Sequence, residues 1–411
     1  MTRTLLLAAA GLGLVAAGAS APRVMAAASW APPGTSALTR TISEAVARGD
    51  VPGLVVAVVT REGIVYHEAA GRQNVARNVA LAKDAIFNIA SMTKPITSIA
   101  TMMLVEEKKL ALDDPVARHL PAYADRQVLV RVRADGTFET RPAKRPITIR
   151  HLLTHTSGLG YGFSSPTVTA MQKGTMRPET ELPLLFDPGE GWAYGASTRV
   201  LGELVARVSG EPLDAFLARR ILRPLGMQDT GYAVEASSMG RVVSSHTRAG
   251  EGFTERQPGA AASSAVAGDG GLYSTAGDYA RFLQMLLNDG RAGSTRLLQA
   301  DTVRTIFRSH TGRVAVQRQE TTNRGLSLPF PDGAGRDTWG LGFQLSNPST
   351  KQPFMRSPGS GTWAGIFNTH FWIDREKEVG VIAMMQLLPF YDEKAMALLA
   401  AIEEQVYRHL K

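Results

Sequence analysis

The chain has 411 residues, 44% of them hydrophobic, with a formal net charge of +8 and no cysteine. That length and apolar content allow a substantial core, in one large domain or two lobes. The absence of cysteine excludes disulfides, thiolate nucleophiles, Cys-ligated metals and a lipoprotein anchor, and the positive charge forms no clustered run of the kind that marks a nucleic-acid surface.

The first residues read as an export signal. Arg3 gives a minimal positive region, residues 5–19 are an uninterrupted small-apolar run, and Ala19-Ser20-Ala21 is an A-x-A cleavage site, with Ala26-Ala27-Ala28 as a second. An uncleaved membrane anchor is the alternative, although the run is slightly short for a span of ~20 residues. Residues 1–21 are therefore assigned to a signal peptide and 22–35 to a linker that includes the Pro/Gly-rich stretch 30–34. The expected location is periplasmic or secreted, without stable membrane association after cleavage, and export without disulfides suits a bacterial periplasm. Gly11-Leu12-Gly13-Leu14-Val15-Ala16 matches a dinucleotide fingerprint only by lying in this Ala/Gly-rich segment.

Residues 36–48 read as a helix with Gly49 as its stop. Residues 54–60 and 64–70 are β-rich runs joined at Arg61-Glu62-Gly63, a hairpin signal. From about residue 87 to 307 the pattern is mainly helical, interrupted by one hairpin that pairs 128–132 with 138–140 around Asp135-Gly136. The stretch 131–150 is the densest in basic residues, but Asp135 and Glu139 break it, and it reads as a solvated hairpin.

Ser91-Met92-Thr93-Lys94 opens one of these helices. Met92, Ile96, Ile99 and Met103 recur every three to four positions, and Glu106, Glu107, Lys108 and Lys109 follow. A Ser and a Lys three apart share a helix face, their Cβ atoms roughly 5–6 Å apart. At the first turn, unpaired N–H groups and the helix dipole favour a developing alkoxide at Ser91. A bare S-x-x-K arises often by chance in a chain this long, so its companions decide its meaning.

Strand signals return at 340–345, 367–373 and 379–385, and a closing helix carries Ala395, Leu398, Leu399, Ile402 and Val406 on one face. The expected architecture is α+β: an antiparallel sheet built from both chain ends and flanked by helices, with an inserted, mainly helical subdomain. One domain then spans 36–411, with a sheet lobe at about 36–72 and 335–411 and a helical lobe at about 73–334. A cleft between lobes is the default place for a site.

Five segments together resemble a known family. They are Phe87-Asn88-Ile89-Ala90-Ser91-Met92-Thr93-Lys94-Pro95; Ile147-Thr148-Ile149-Arg150-His151-Leu152-Leu153-Thr154-His155-Thr156-Ser157-Gly158-Leu159; Pro188-Gly189-Glu190-Gly191-Trp192-Ala193-Tyr194; Gly268-Asp269-Gly270-Gly271-Leu272-Tyr273-Ser274-Thr275; and Gly361-Thr362-Trp363-Ala364-Gly365. In this order they resemble the class C β-lactamase superfamily, which has the serine β-lactamase and penicillin-binding-protein fold. Within it the family VIII carboxylesterases are the nearest match. The resemblance implies Ser91 as nucleophile and places Tyr194 where that family has its catalytic tyrosine. From the residues alone, Pro188-Gly189 marks a turn and a helix begins at Ser197, so Tyr194 sits on a short loop able to point into a cleft.

The family's third motif is Lys-Thr-Gly in β-lactamases and commonly Trp-Gly-Gly or a relative in the esterases. Two segments compete for it here. His310-Thr311-Gly312 resembles a peptidase variant, whereas Trp363-Ala364-Gly365 precedes a strand and is favoured, because the motif must lie on a sheet-edge strand beside the nucleophile. The resemblance then implies an oxyanion hole formed by the backbone N–H groups of Ser91 and Ile366. Losing one such donor typically costs about 3–4 kcal/mol of transition-state stabilisation. Two departures stand out: Gly195-Ala196 follows Tyr194 where β-lactamases have Asn, and Trp363 replaces the Lys that meets an antibiotic carboxylate. Both remove groups that hold a β-lactam, and both fit an uncharged ester.

The expected reaction is attack by Ser91 on an ester carbonyl, an acyl-enzyme, and release by water. Lys94 and Tyr194 share the proton work as a coupled pair, with the base unassigned between them. A neutral lysine near pH 7 requires a fall of about three units from ~10.4, about 4 kcal/mol. A lysine kept charged instead favours tyrosinate beside it.

Rival chemistries lack their signatures. No G-x-S-x-G elbow is present, and Glu does not follow His151, so the His151/His155 spacing is not a metalloprotease pattern. No metal or other cofactor is expected. Gly268 to Gly271 reads as a tight turn near the cleft. Phe163, Trp339 and Phe390 are candidates for an acyl pocket, with ordinary core or rim as the plainer reading. Three functions remain: a carboxylesterase acting on a small-molecule ester; a β-lactamase or D-Ala-type peptidase; and a non-catalytic member of the fold, disfavoured because Ser91, Lys94 and Tyr194 are all present.

Overall fold

The computed structural model describes residues 32–133, 136–173, 175, 177–256, 262–347 and 354–410. The export-signal expectations lie outside these residues. Helix α1 (Pro32–Ala47) leads into β1 (Gly53–Thr60), β2 (Ile64–Asn74) and the short β3 (Val79–Ala80) and β4 (Phe87–Asn88). Helix α2 (Thr93–Glu106) follows, then β5 (Gln127–Val132), β6 (Phe138–Pro142), α3 (Ile149–Leu153), α4 (Pro166–Gln172), α5 (Ser197–Ser209) and α6 (Leu213–Leu217). Next come β7 (Ser245–Ala249), β8 (Gly252–Arg256), β9 (Tyr273–Ser274), α7 (Ala276–Leu287), β10 (Arg291–Ala292), β11 (Thr295–Arg296) and α8 (Ala300–Ile306). The chain closes with β12 (Thr338–Trp339), β13 (Gln344–Leu345), β14 (Gly361–Gly365), β15 (Thr369–Asp374), β16 (Val379–Met384), β17 (Leu387–Leu388) and α9 (Glu393–His409).

The main sheet runs β12-β13-β14-β15-β16-β1-β2-β3. Its strand pairs are antiparallel, and the two chain ends meet where β1 pairs with β16. The α+β architecture read from the sequence is therefore the one observed. Strand β1 is buried along its whole length, and its period of two divides it between two cores. Leu54, Val56 and Val58 face α1 and α9, while Val55, Ala57 and Val59 face the larger core that contains α7. Strand β16 divides the same way, with Val379, Val381 and Ala383 on one side and Ile382 and Met384 on the other. Helix α9 is capped by Asp392, whose side chain accepts from the Ala395 N–H at 3.0 Å, and it buries Ala395, Leu398, Leu399, Ile402 and Val406. No helix among the described residues is long and apolar enough to cross a membrane.

Several boundaries differ from expectation for local reasons. Helix α1 starts at Pro32, inside the expected linker, because a proline is tolerated in a first helical turn. The run 340–345 is a turn followed by two strand residues: the Gly340 N–H meets the Phe343 carbonyl at 2.8 Å, and Gly342 has φ +100°. There a Cβ would lie 2.4 Å from the Ser98 side chain, so the close approach requires glycine. Residues 366–368 form a turn, with Asn368 at φ +57° and its amide donating to the Leu387 and Pro389 carbonyls, so the strand begins at Thr369. A second hairpin, β7 with β8, interrupts the stretch read as mainly helical. Its β7 residues Ser245-His246-Thr247-Arg248-Ala249 carry little apolar signal, and parallel pairing with β17 supports them instead.

His370 on β15 is buried against Phe390, at a ring-centroid distance of 6.0 Å, and its Nε2 has no hydrogen-bond partner among the described residues. Burial, with the Arg356 guanidinium nearby, pushes it down to about 3. A histidine held neutral in the fold gains a proton in the unfolded chain first, so stability is lost as pH falls from about 6.5 toward 3, by up to about 1.4 kcal/mol per pH unit. The thermal midpoint is expected to drop between pH 7 and pH 5, and to drop less in His370→Leu. Calorimetry at the two pH values checks this, and equal midpoints in the wild type contradict it.

Candidate active site

Ser91 lies in a single 3-10 turn, Ala90–Met92, that runs directly into α2. Ala90 holds φ +44°, a left-handed conformation that costs a non-glycine residue on the order of 1–3 kcal/mol. Its surroundings fix it there. The Ala90 N–H donates to Asn88 Oδ1 at 3.0 Å, and Gln386 clasps the Asn88 backbone, accepting from its N–H at 2.9 Å and donating to its carbonyl at 3.3 Å. The Ile89 N–H meets the Leu272 carbonyl at 3.0 Å, and Tyr279 OH donates to the Met92 carbonyl at 3.1 Å.

The 268–272 segment is a tight turn bound to the first turns of α2. Gly268 O accepts from Thr97 Oγ1 at 2.7 Å, Asp269 O accepts from Lys94 Nζ at 2.7 Å, and the Leu272 N–H donates to Thr93 Oγ1 at 3.2 Å. A Cβ on Gly268 would lie 2.3 Å from the Thr198 carbonyl, so only glycine lets this turn approach α5.

Ser91, Lys94 and Tyr194 come together. Lys94 Nζ is 3.1 Å and Tyr194 OH 2.7 Å from Ser91 Oγ. Ser91 is half-buried, while Lys94 and Tyr194 are each only 3% exposed, so water has little access behind the serine. Lys94 Nζ also lies 4.8 Å from the Tyr194 ring centroid and 5.2 Å from that of Tyr161, two faces that favour a cation. Tyr194 is held at its other end by its N–H, which donates to Gln319 Oε1 at 3.1 Å.

Trp363, Ala364 and Gly365 lie on β14 and, as expected, precede a strand, β15. Gly361 and Thr362 pair with β13, but β13 is too short to reach the next three residues, which pair only with β15. That leaves a locally open edge beside Ser91. The Trp363 ring packs on Tyr194 at 4.9 Å and on Trp339 at 4.8 Å. Gly365 abuts the turn before Ser91, where a Cβ would come within 2.3 Å of the Ile89 carbonyl. Ile366 is the first residue of the following turn. Thr362, Trp363 and Ala364 also border a cavity of about 270 Å³, bounded by α9, that Ser91, Lys94 and Tyr194 do not line.

The competing His310-Thr311-Gly312 lies off the sheet. His310 Nδ1 contacts Arg150 at 2.8 Å, and its N–H meets the Trp339 carbonyl at 2.9 Å. His151 caps α3, its Nδ1 accepting from the Thr148 N–H at 3.1 Å. His155 is buried among Trp192, Tyr194 and Trp339. Burial and nearby Lys94 hold it well below the usual histidine range. Phe163 stacks between Tyr161 at 5.5 Å and Phe330 at 6.1 Å and reaches Tyr194 edge-on at 6.5 Å. Phe390 sits beyond Phe330, at 5.1 Å, and so at one remove from the serine.

Three groups escaped sequence reasoning. Tyr161 OH donates to Asp269 Oδ2, and Arg199 pairs with the same carboxylate at 3.1 Å. Burial and the adjacent Asp269 push Tyr161 well above the ordinary tyrosine range. Against its own burial, Asp269 is held below the usual carboxylate range by Lys94 and Arg199. The available signals were Tyr161 two residues after Leu159 and the lone acid in Gly268-Asp269-Gly270-Gly271. For Arg199 the signal was its place in the first turn of the helix that follows Tyr194, on the face opposite the buried Leu201 and Leu204.

Comparison with known proteins identifies the family. The Beta-lactamase family model matches residues 38–404. Esterase EstB of Burkholderia gladioli is 30% identical, over 86% of this chain and 90% of its own length. Lovastatin esterase of Penicillium rubens is 29% identical, over 90% of this chain and 97% of its own. The structure of a LovD6 mutant of simvastatin synthase from Aspergillus terreus superposes with a TM-score of 0.80 at 27% identity, covering 91% of this chain and 95% of that one. By the extent of the family match and the order of its motifs, the chain belongs to the β-lactamase family.

Proposed function

We propose that this protein is a serine hydrolase that cleaves carboxylic esters of small molecules through an acyl-enzyme on Ser91. The observation that carries the reading is the contact of Ser91 Oγ with both Lys94 Nζ and Tyr194 OH, at 3.1 and 2.7 Å. The esterase names of two relatives support it. Ser91 Oγ attacks the ester carbonyl carbon as its proton passes to the Lys94–Tyr194 pair. The N–H groups of Ser91 and Ile366 hold the oxyanion. The alcohol departs with the proton from the pair, and water repeats the sequence on the acyl group, restoring Ser91. Export through the amino-terminal segment, to the periplasm or beyond, belongs to the same proposal.

An ester is favoured over a β-lactam because Trp363 fills the place of a cationic residue and packs on Tyr194, leaving an aromatic wall of Trp363, Phe163 and Phe330 around the serine. Family membership favours a second reading, β-lactamase or D-Ala-type peptidase activity on the same serine. Hydrolysis of p-nitrophenyl butyrate beside nitrocefin separates them. Ester turnover with weak or no nitrocefin turnover is expected; nitrocefin turnover alone overturns the ester reading.

Tyr194→Phe and Lys94→Ala are each expected to lower ester kcat by ~10²–10⁴, the usual range for general acid–base groups. Near-wild-type kcat in either variant removes that residue from the proton path. Gly365→Ala is expected to push β14 away from the Ile89 carbonyl, lowering the thermal midpoint and reducing kcat/KM of the folded enzyme. Unchanged kcat/KM contradicts the role given to that contact.

A further inference from the structure

Lys94 does not face only the serine. Its Nζ is bonded to the backbone carbonyl of Asp269, whose carboxylate therefore lies close behind it, 6% exposed and shared between Tyr161 OH and Arg199. Arg199 meets that carboxylate with Nε at 3.3 Å and with a terminal nitrogen at 3.1 Å, while its side chain stays 39% exposed. The other titratable groups around Lys94 are Tyr194, Tyr161 and His155, with Glu179 and Glu203 beyond Asp269 and Arg199. The acids in this neighbourhood outnumber the bases. Burial works against the Asp269 charge, but Lys94 and the Tyr161 hydroxyl support it, so without Arg199 the carboxylate would stand behind the lysine with no second cation to offset it.

The geometry points to Arg199 as a positioning residue whose guanidinium offsets the Asp269 carboxylate and so leaves the Lys94–Tyr194 pair free to take the serine proton. This inference rests on the reading of Ser91 as nucleophile. The coupled pair accepts a proton from Ser91 only in its proton-deficient form, whether that is neutral lysine with tyrosine or ammonium with tyrosinate. An uncompensated carboxylate stabilises the fully protonated, positive form and delays the loss of that proton to higher pH. The consequence is the same for either assignment of the base. A merely structural arginine would not shift a titration.

The test is the pH dependence of the rate at which a fluorophosphonate labels Ser91, beside kcat/KM for p-nitrophenyl butyrate. In Arg199→Gln the acid limb of both profiles is expected to move up by about one pH unit, equivalent to about 1.4 kcal/mol, with roughly tenfold slower labelling on that limb. Arg199→Lys keeps the charge and is expected to retain the wild-type limb. Asp269→Asn, which keeps an acceptor for Tyr161, is expected to move the limb down, and the double variant Arg199→Gln/Asp269→Asn to return it toward wild type. An unmoved limb in Arg199→Gln, or a double variant no closer to wild type than the single, overturns the inference. If Arg199→Gln does not fold, Asp269→Asn against wild type decides by the direction of its shift. Absent labelling of Ser91 in the wild type is a different result: it ends the proposed function, and the inference with it.

Discussion

The structure depends on one buried amine. Lys94 Nζ is shared between Ser91 Oγ and the carbonyl of Asp269, and two tyrosine rings cover it. A lysine 97% removed from solvent is tolerated only with such partners, because an unpaired buried ammonium costs several kcal/mol. Each partner comes from a different part of the chain: the serine from the turn before α2, the carbonyl from the turn before β9, the rings from the loops before α4 and α5. The amine therefore ties the insertion between β4 and α7 to one point, and that point is where Ser91 sits.

The serine's own placement follows from a second constraint. Ala90 is held in a left-handed conformation by Asn88 and, behind it, by Gln386 in the connection between β16 and β17. Strand β14 closes on the same turn because Gly365 has no side chain to collide with the Ile89 carbonyl. Local strain is thus opposed by hydrogen bonds from distant elements, the usual condition for strain to persist at a working site. Around the serine, Trp363, Tyr194, Phe163 and Phe330 supply apolar surface in mutual edge and stacked contacts. Such a wall favours an uncharged acyl group over an anionic one, since a carboxylate buried against it would lack a partner.

Much of the scaffold was legible because it obeys simple periods. The apolar face of α9 and the continuous apolar runs of β1 and β16 are written directly in the sequence, and the sheet joining both chain ends follows from their positions. Helical spacing puts Ser91 and Lys94 on one face, but the resemblance of the surrounding segments gave that pair its meaning and singled out Tyr194, which a turn and a helix start bracket. What the sequence hid has physical causes. Strand β7 is polar and is stabilised by pairing rather than by a buried face, so no alternation announces it. Asp269, Arg199 and Tyr161 are 38 or more residues apart in the chain, and nothing in a linear pattern pairs a glycine-turn acid with a helix arginine and a loop tyrosine. Trp363-Ala364-Gly365 was read in a sheet-edge context ahead of a strand, yet 361–365 gave no strand signal of its own because glycines at both ends weaken it.

The central claim is that Ser91 carries the acyl group. Rapid-quench reaction with p-nitrophenyl butyrate, followed by peptide mass mapping, tests it most directly. The account predicts a butyryl adduct that appears within the first turnover, maps to Ser91 and is lost in Ser91→Ala. A butyryl group on any other side chain, or steady ester turnover by Ser91→Ala at the wild-type rate, would contradict it.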